Sequence, residues 1–284
     1  MYTLLNALTW ILLTILYFPI FTQLYRSRWH VVDYTHAYFI LPVSLWLIFR
    51  KRAELKVLFK KPDSHKGILY YALFLLGIFT FTFGWRWDYL IISTLSLVFV
   101  LYGLVGFLYG KKVVSSITFP LLYLLMLVPP PLGIVDNITL PMRHLISNLT
   151  EVVLKFFHYP ISREGLLLTI GTHEVFMGQP CSGFRSLVTM FALALVYIYL
   201  SKGKILKKLI LLLSVVPLAL LGNLIRIIIL CLITYYFGEK VAQGFFHNFS
   251  GLVIFVIIIL GLIGVETLLD RKGKRIMNFN LNLQ

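Results

Sequence analysis

Three side chains in this chain have the types needed for acyl chemistry: Cys181, Arg226 and His247. Cys181 lies in QPCSGFRSL (residues 179–187), where a polar loop passes into the apolar run SLVTMFALALVYIYL. Free amides at a helix start and the positive end of the helix dipole favour the thiolate, the form that attacks carbonyls. Arg185, one turn further on, adds positive potential. Arg226 sits in LLGNLIRIIIL with apolar residues on both sides. A charge inside such a run is costly and points to a function, such as steadying an oxyanion, orienting a carbonyl or lowering a thiol's pKa. Snorkelling to head groups is the plainer account. Asn223, three residues earlier, shares its helix face. His247, in FFHNFSGLVIF, has the imidazole of a general base that can later act as a general acid. His173 is its chief rival for that role, and His144 and His158 are weaker ones.

A metal is a poor fit. There is no Cys-x-x-Cys, no His-x-x-x-His and no cluster of acidic ligands, so neither a metal nor a cofactor is expected. Cys231, inside IRIIILCLITYYF, reads as a small buried apolar residue. Two cysteines make no disulfide framework.

These residues need elements to hold them, and composition says which kind. The 284 residues are 59% hydrophobic and 13% charged, with mean hydropathy +0.88. Soluble domains run nearer one quarter charged, so a single integral membrane domain, residues 1–284, is expected: all-α, a polytopic helix bundle. The formal charge of +15 sits in short clusters between apolar runs. It therefore reads as topology signal and contact with anionic head groups, not as a nucleic-acid surface.

Apolar runs near the roughly 20 residues that cross a bilayer cover 3–22, 34–50, 67–84, 89–109, 115–130, 183–201, 206–236 and 247–269. The first lacks a basic start and a small-x-small cleavage site, and is read as a retained helix. Basic residues follow every even-numbered run: Arg50 to Lys66, Lys111 and Lys112, Lys202 to Lys208, and Arg271 to Arg275. The positive-inside rule then predicts about eight spans with both termini cytoplasmic. Residues 131–182, with Cys181, fall on the outer side, as does the turn at 237–247. Leu140, Leu145, Ile146, Leu149, Val152, Val153 and Phe156 have helical spacing, which predicts an outer-side amphipathic helix at the interface or a short half-span. Extended chain or a small hairpin is expected over 160–178. Arg226 lies 18 residues beyond Lys208, about 27 Å, so it reaches the outer edge of the hydrocarbon. The seventh run is long enough that it must tilt, kink near Pro217 and Gly222, or project outward.

CSGFRS at 181–186, NLIR at 223–226 and His247 at the last run, in that order, resemble the exosortase/archaeosortase family of membrane-embedded processing enzymes. The stretch WHVVDYTHAYFILPVSLWLIFRKR (29–52) is similar to the family's first loop and second span. The resemblance implies a cysteine protease-transpeptidase of a prokaryotic cell membrane. Its partners would be membrane-anchored proteins with a C-terminal sorting tail of short motif, hydrophobic helix and basic cluster. Cys181 would be the nucleophile, Arg226 a substrate- or transition-state-stabilising residue and His247 the acid/base. Ser182, Gly183, Ser186 and Asn223 would support them. The main rival is a transporter or lipid-binding scaffold in which Arg226 pairs with an anionic substrate. A lipid-linked glycan transferase would need an outer carboxylate, for which Glu151, Glu174 and Asp136 are available.

Overall fold

The computed structural model describes residues 2–29, 36–60, 67–130, 132–178, 184–248 and 250–281. The chain is an all-α membrane protein with one small sheet, and divides into two compact units, 1–132 and 133–284. Four helices among the described residues are long and apolar enough to cross a membrane: Leu4–Trp29, Ile68–Arg86, Leu90–Tyr109 and Ile205–Phe237. They match the first, third, fourth and seventh of the eight expected runs. The second and sixth are shorter apolar helices of 14 and 17 residues. The fifth is a 13-residue helix that tightens into a 3-10 turn.

The first unit contains α1 (Tyr2–Leu24), α2 (Ala37–Arg50), α3 (Arg52–Lys60), α4 (Ile68–Arg86), α5 (Leu90–Tyr109) and α6 (Lys111–Tyr123). α4 and α5 form a hairpin packed through small residues. A Cβ on Gly77 would stand 2.6 Å from the Val100 side chain and 2.7 Å from its backbone nitrogen. In lipid, where apolar burial gives helices no drive to associate, such close backbone approach holds them together. α6 carries Pro120, which has no N–H to offer the Ser116 carbonyl one turn back. Lys51 Nζ donates to that oxygen instead, at 2.6 Å. α3 is not foreseen by the apolar pattern. Arg52, Lys56 and Lys60 dominate its composition, while Leu55 is buried, so a short amphipathic helix lies inside a basic loop.

The second unit opens with α7 (Leu132–Phe156), followed by β1 (Ile161–Glu164), β2 (Leu167–Ile170) and β3 (His173–Phe176). The expected hairpin gains a third strand, in antiparallel order β1-β2-β3. Gly165 (φ +61°) and Gly171 (φ +60°) begin its two-residue turns, where a positive φ lets the turn follow the strand twist. Ile161, Leu168, Ile170 and Val175 form the buried face. α8 (Phe184–Leu200), α9 (Ile205–Phe237), α10 (Glu239–Asn248) and α11 (Ser250–Leu281) complete the unit.

α9 is one unbroken helix of 33 residues, about 50 Å long. Its upper turns find partners beyond the bundle. Leu230, Cys231 and Ile227 share a core cluster with the buried sheet residues and with Ile146 and Leu154 of α7. The sheet supports these last turns of α9. Cys231 is fully buried in that cluster, as its surroundings in the sequence predict. The stretch after Phe237, expected to be a turn, is helical. Gly238 (φ +80°) breaks α9, and Glu239 then favours a new helix N-terminus.

Candidate functional site

The residues of the expected site all belong to the second unit. Cys181, Ser182 and Gly183 lie outside the described residues; for Arg185, Ser186 and His247 the backbone is described, within α8 and α10. Asn223 and Arg226 are described in full. Asn223 is buried, 1% exposed, and Arg226 is half-buried one residue before the core residue Ile227.

Helix register sets the height of each piece. α8 and α9 form a hairpin joined by residues 201–204. Counting back 16 residues from Leu200 to Phe184, and forward 16 from Ile205 to Leu221, covers about 24 Å on each helix. The start of α8 therefore stands level with the turn of α9 that bears Asn223. α11 packs antiparallel to α9: a Cβ on Gly261 would meet Leu218 Cδ1 at 3.0 Å. Eight residues up α9 from Leu218 is Arg226, and eight back along α11 from Gly261 is Val253, in the first turn of α11. The α10–α11 joint, where His247 lies in sequence, is thus within about a turn of Arg226 in height.

This register is held from the opposite end. Glu266 of α11 accepts hydrogen bonds from Tyr197 and Ser201 at the end of α8, and from Lys207 of α9 at 2.7 Å. Lys207 also pairs with Asp270 at 2.8 Å. Met190, Ala194 and Ile198 of α8, Leu211, Val215 and Ala219 of α9, and Ile258 and Leu262 of α11 fill the space above. Sequence reasoning misses Glu266. Its signal is a carboxylate at the edge of the run LVIFVIIILGLIGVET, which needs a partner there.

The rival histidines sort by position. His173 Nδ1 is 3.9 Å from Glu239 Oε1, at the first residue of α10. His247 is eight residues further along that helix, about 12 Å away along its axis. The two histidines belong to opposite ends of one short helix. His158 plays a structural part. At φ +62° it stops α7, with Tyr159 N–H bonding Leu154 O and His158 N–H bonding Lys155 O.

Of the carboxylates, Glu151 receives Lys155 Nζ at 2.8 Å and Arg163 Nε at 3.2 Å. The Lys155 hydrogen bond first, then Arg163, holds its pKa below the ordinary carboxylate value. The α7–β1 link is therefore charged above the usual carboxylate range and is lost as pH falls through the lowered value. Glu174 lies on the exposed face of β3. Neither is placed with Asn223 and Arg226. Among the described residues no group of three or more His, Cys, Asp or Glu is arranged to hold a metal ion.

α7 is the expected amphipathic helix, and its two faces are used differently. The apolar stripe is turned outward: Leu140, Leu145, Leu149, Val152 and Phe156 are exposed. Thr139, Arg143, Ser147 and Thr150 are buried, along with Ile146 and Leu154. A helix lying against lipid is apolar on its outer side, so its polar stripe is the inner one.

Comparison with family models gives a match to the one described as "Transmembrane exosortase (Exosortase_EpsH)", over residues 29–264. Comparison with curated proteins and with solved structures gives no match.

Proposed function

Because the chain belongs to the transmembrane exosortase family, we propose that it removes the C-terminal sorting tail of exported membrane-anchored proteins through a thioester on Cys181. The tail's helix lies among the spans with its basic end in the cytoplasm, so that its motif reaches the site on the outer face. Both termini of the enzyme are cytoplasmic. The Cys181 thiol gives its proton to His247 and Sγ attacks the scissile carbonyl. Arg226 and Asn223 donate to the developing oxyanion. As the C–N bond breaks, the leaving tail amine takes the proton back from His247. Water then resolves the thioester to a carboxylic acid, or an amine of a lipid or glycan resolves it to an amide, and the thiol is restored.

The observation that supports this reading is the common height, on three helices of one bundle, of the α8 start, of Asn223 and Arg226, and of the α10–α11 joint. In the sequence CSGFRS runs into α8, NLIR lies in α9 and His247 is next to the last residue of α10. A transporter has no comparable need for them to coincide.

The test is co-expression with a substrate protein bearing a C-terminal helix and basic end, with tail removal followed on immunoblots. Cys181→Ala and Cys181→Ser should abolish processing in protein that still inserts and folds, and continued processing would overturn the proposal. His247→Ala should also abolish it while His173→Ala does not. The reverse result transfers the base to His173, beside Glu239.

A further inference from the structure

The first unit holds a cavity for which the proposed chemistry has no use. Its volume is about 660 Å³, and residues of α1, α2, α3, α5 and α6 line it. The back wall is buried: Leu97 and Val105 of α5, and Val113, Ile117 and Leu121 of α6. α1 is pinned to α5 by Tyr17 and Ser96, whose hydroxyls are 2.7 Å apart. α2 is pinned to α6 by Ser44 Oγ, which donates to Pro120 O at 2.8 Å. Phe18 of α1 and Leu45 of α2 also line the cavity and are exposed, so it is a slot opening between those two helices.

Every polar side chain along the slot finds its partner within the chain. Besides Tyr17 and Ser44, Thr14 Oγ1 donates to Trp10 O at 2.9 Å, and Trp10 Nε1 donates to Tyr109 Oη at 3.1 Å. The remaining walls are apolar, so the slot offers dispersion contacts to hydrocarbon and little to water. From Leu97 to Tyr109 along α5 it runs about 18 Å, close to the roughly 15 Å of one leaflet's hydrocarbon. Trp10, Phe59 and Tyr109 line one end, with the rings of Phe59 and Tyr109 5.1 Å apart. Aromatic clusters of this kind belong at head-group level.

That end is also the cationic one. Lys56 and Lys60 follow the lining residues Leu55 and Phe59 on α3, Lys111 and Lys112 precede Val113 on α6, and all four lysines are exposed. Leu55 and Val113 share a core cluster, which brings α3 to the start of α6. The lone acid of α3, Glu54, faces Lys51 at 3.9 Å. On the proposed topology this end is cytoplasmic, where a sorting tail would bring its own basic cluster against the lysines. An anionic head group meets attraction there instead. We propose that the slot binds an acyl chain of an anionic phospholipid, whose head group is held by Lys56, Lys60, Lys111 and Lys112.

The test uses the full chain, delipidated in detergent and titrated with phosphatidylglycerol or phosphatidylcholine of the same acyl chains, with bound lipid counted by native mass spectrometry. Phosphatidylglycerol should bind about tenfold more tightly, and the combined Lys56→Gln, Lys111→Gln and Lys112→Gln variant should reduce that preference to about twofold or less. These lysines are exposed, so the variant keeps its fold. Leu45→Trp, which fills the mouth of the slot, should weaken both lipids. Equal binding of the two lipids, or a preference that survives the lysine changes, would overturn the proposal. So would lipid binding indifferent to Leu45→Trp, or displacement of phosphatidylglycerol by an equimolar synthetic peptide with a hydrophobic helix and basic end, which would make the slot a groove for the tail. All of these outcomes are read without processing, so they stand apart from the fate of Cys181→Ala in the co-expression assay.

Discussion

Arg226 sits beside a fully buried core residue, with buried Asn223 one turn below on the same helix. A guanidinium in that setting is pre-oriented, because its helix is packed on both sides and its planar fork has few ways to turn. Lysine would keep the charge and lose the fork. Arg226→Lys should therefore lower the single-turnover rate of tail removal by about a hundredfold, with folding intact, as expected for loss of a geometrically fixed oxyanion donor. A rate within threefold of the natural chain would reduce Arg226 to a head-group contact. At this scale the sequence is informative for Arg226 and Asn223, since a charge inside an apolar run is conspicuous. It is uninformative for Arg143. An arginine among LPMRHLISN looks like an ordinary polar residue on an amphipathic helix, and only its burial marks it out.

Among elements, the long apolar helices are legible because length and hydropathy alone define them, and α9 and α5 fall within a residue or two of their expected bounds. α3 and α10 are not. Each is a single short amphipathic helix in a charged segment, where composition looks like loop. α7 is legible as an amphipathic helix, although periodicity finds its two faces without saying which one is buried. Where the outer medium is apolar, the polar stripe is the inner one. The Glu266 link is the element-scale feature most open to test. Glu266→Leu leaves Tyr197, Ser201 and Lys207 without their shared acceptor, and should cost about 2 kcal/mol by thermal or denaturant unfolding in micelles. Processing should fall as well, although Glu266 lies at the far end of the bundle, because the link sets the relative heights of α8, α9 and α11. Full activity in a destabilised variant would show that packing alone keeps that register.

For the whole molecule, the second unit works as a frame: a charged link at one end, a core of small and branched side chains in the middle, and a sheet that steadies the upper turns of α9. That helix is about 50 Å long, whereas the hydrocarbon of a bilayer is about 30 Å thick. Lys207 pairs with Glu266 and Asp270 at one end, charges that belong near a water boundary, so on the proposed topology the depth of Arg226 is counted from there. On the proposed mechanism membrane thickness then controls the chemistry. In a thin bilayer Arg226 would stand in the wet interface, its charge screened and its proposed oxyanion contact weakened. In a thick one it enters hydrocarbon, and α9 must tilt to relieve it. Tail removal by protein reconstituted into vesicles of increasing acyl-chain length should pass through a maximum, falling several-fold toward both extremes. A flat profile would show that the site is sealed from the lipid around it. The overlong helix is, in this sense, a ruler laid across the membrane, with the proposed reactive residues at one of its marks.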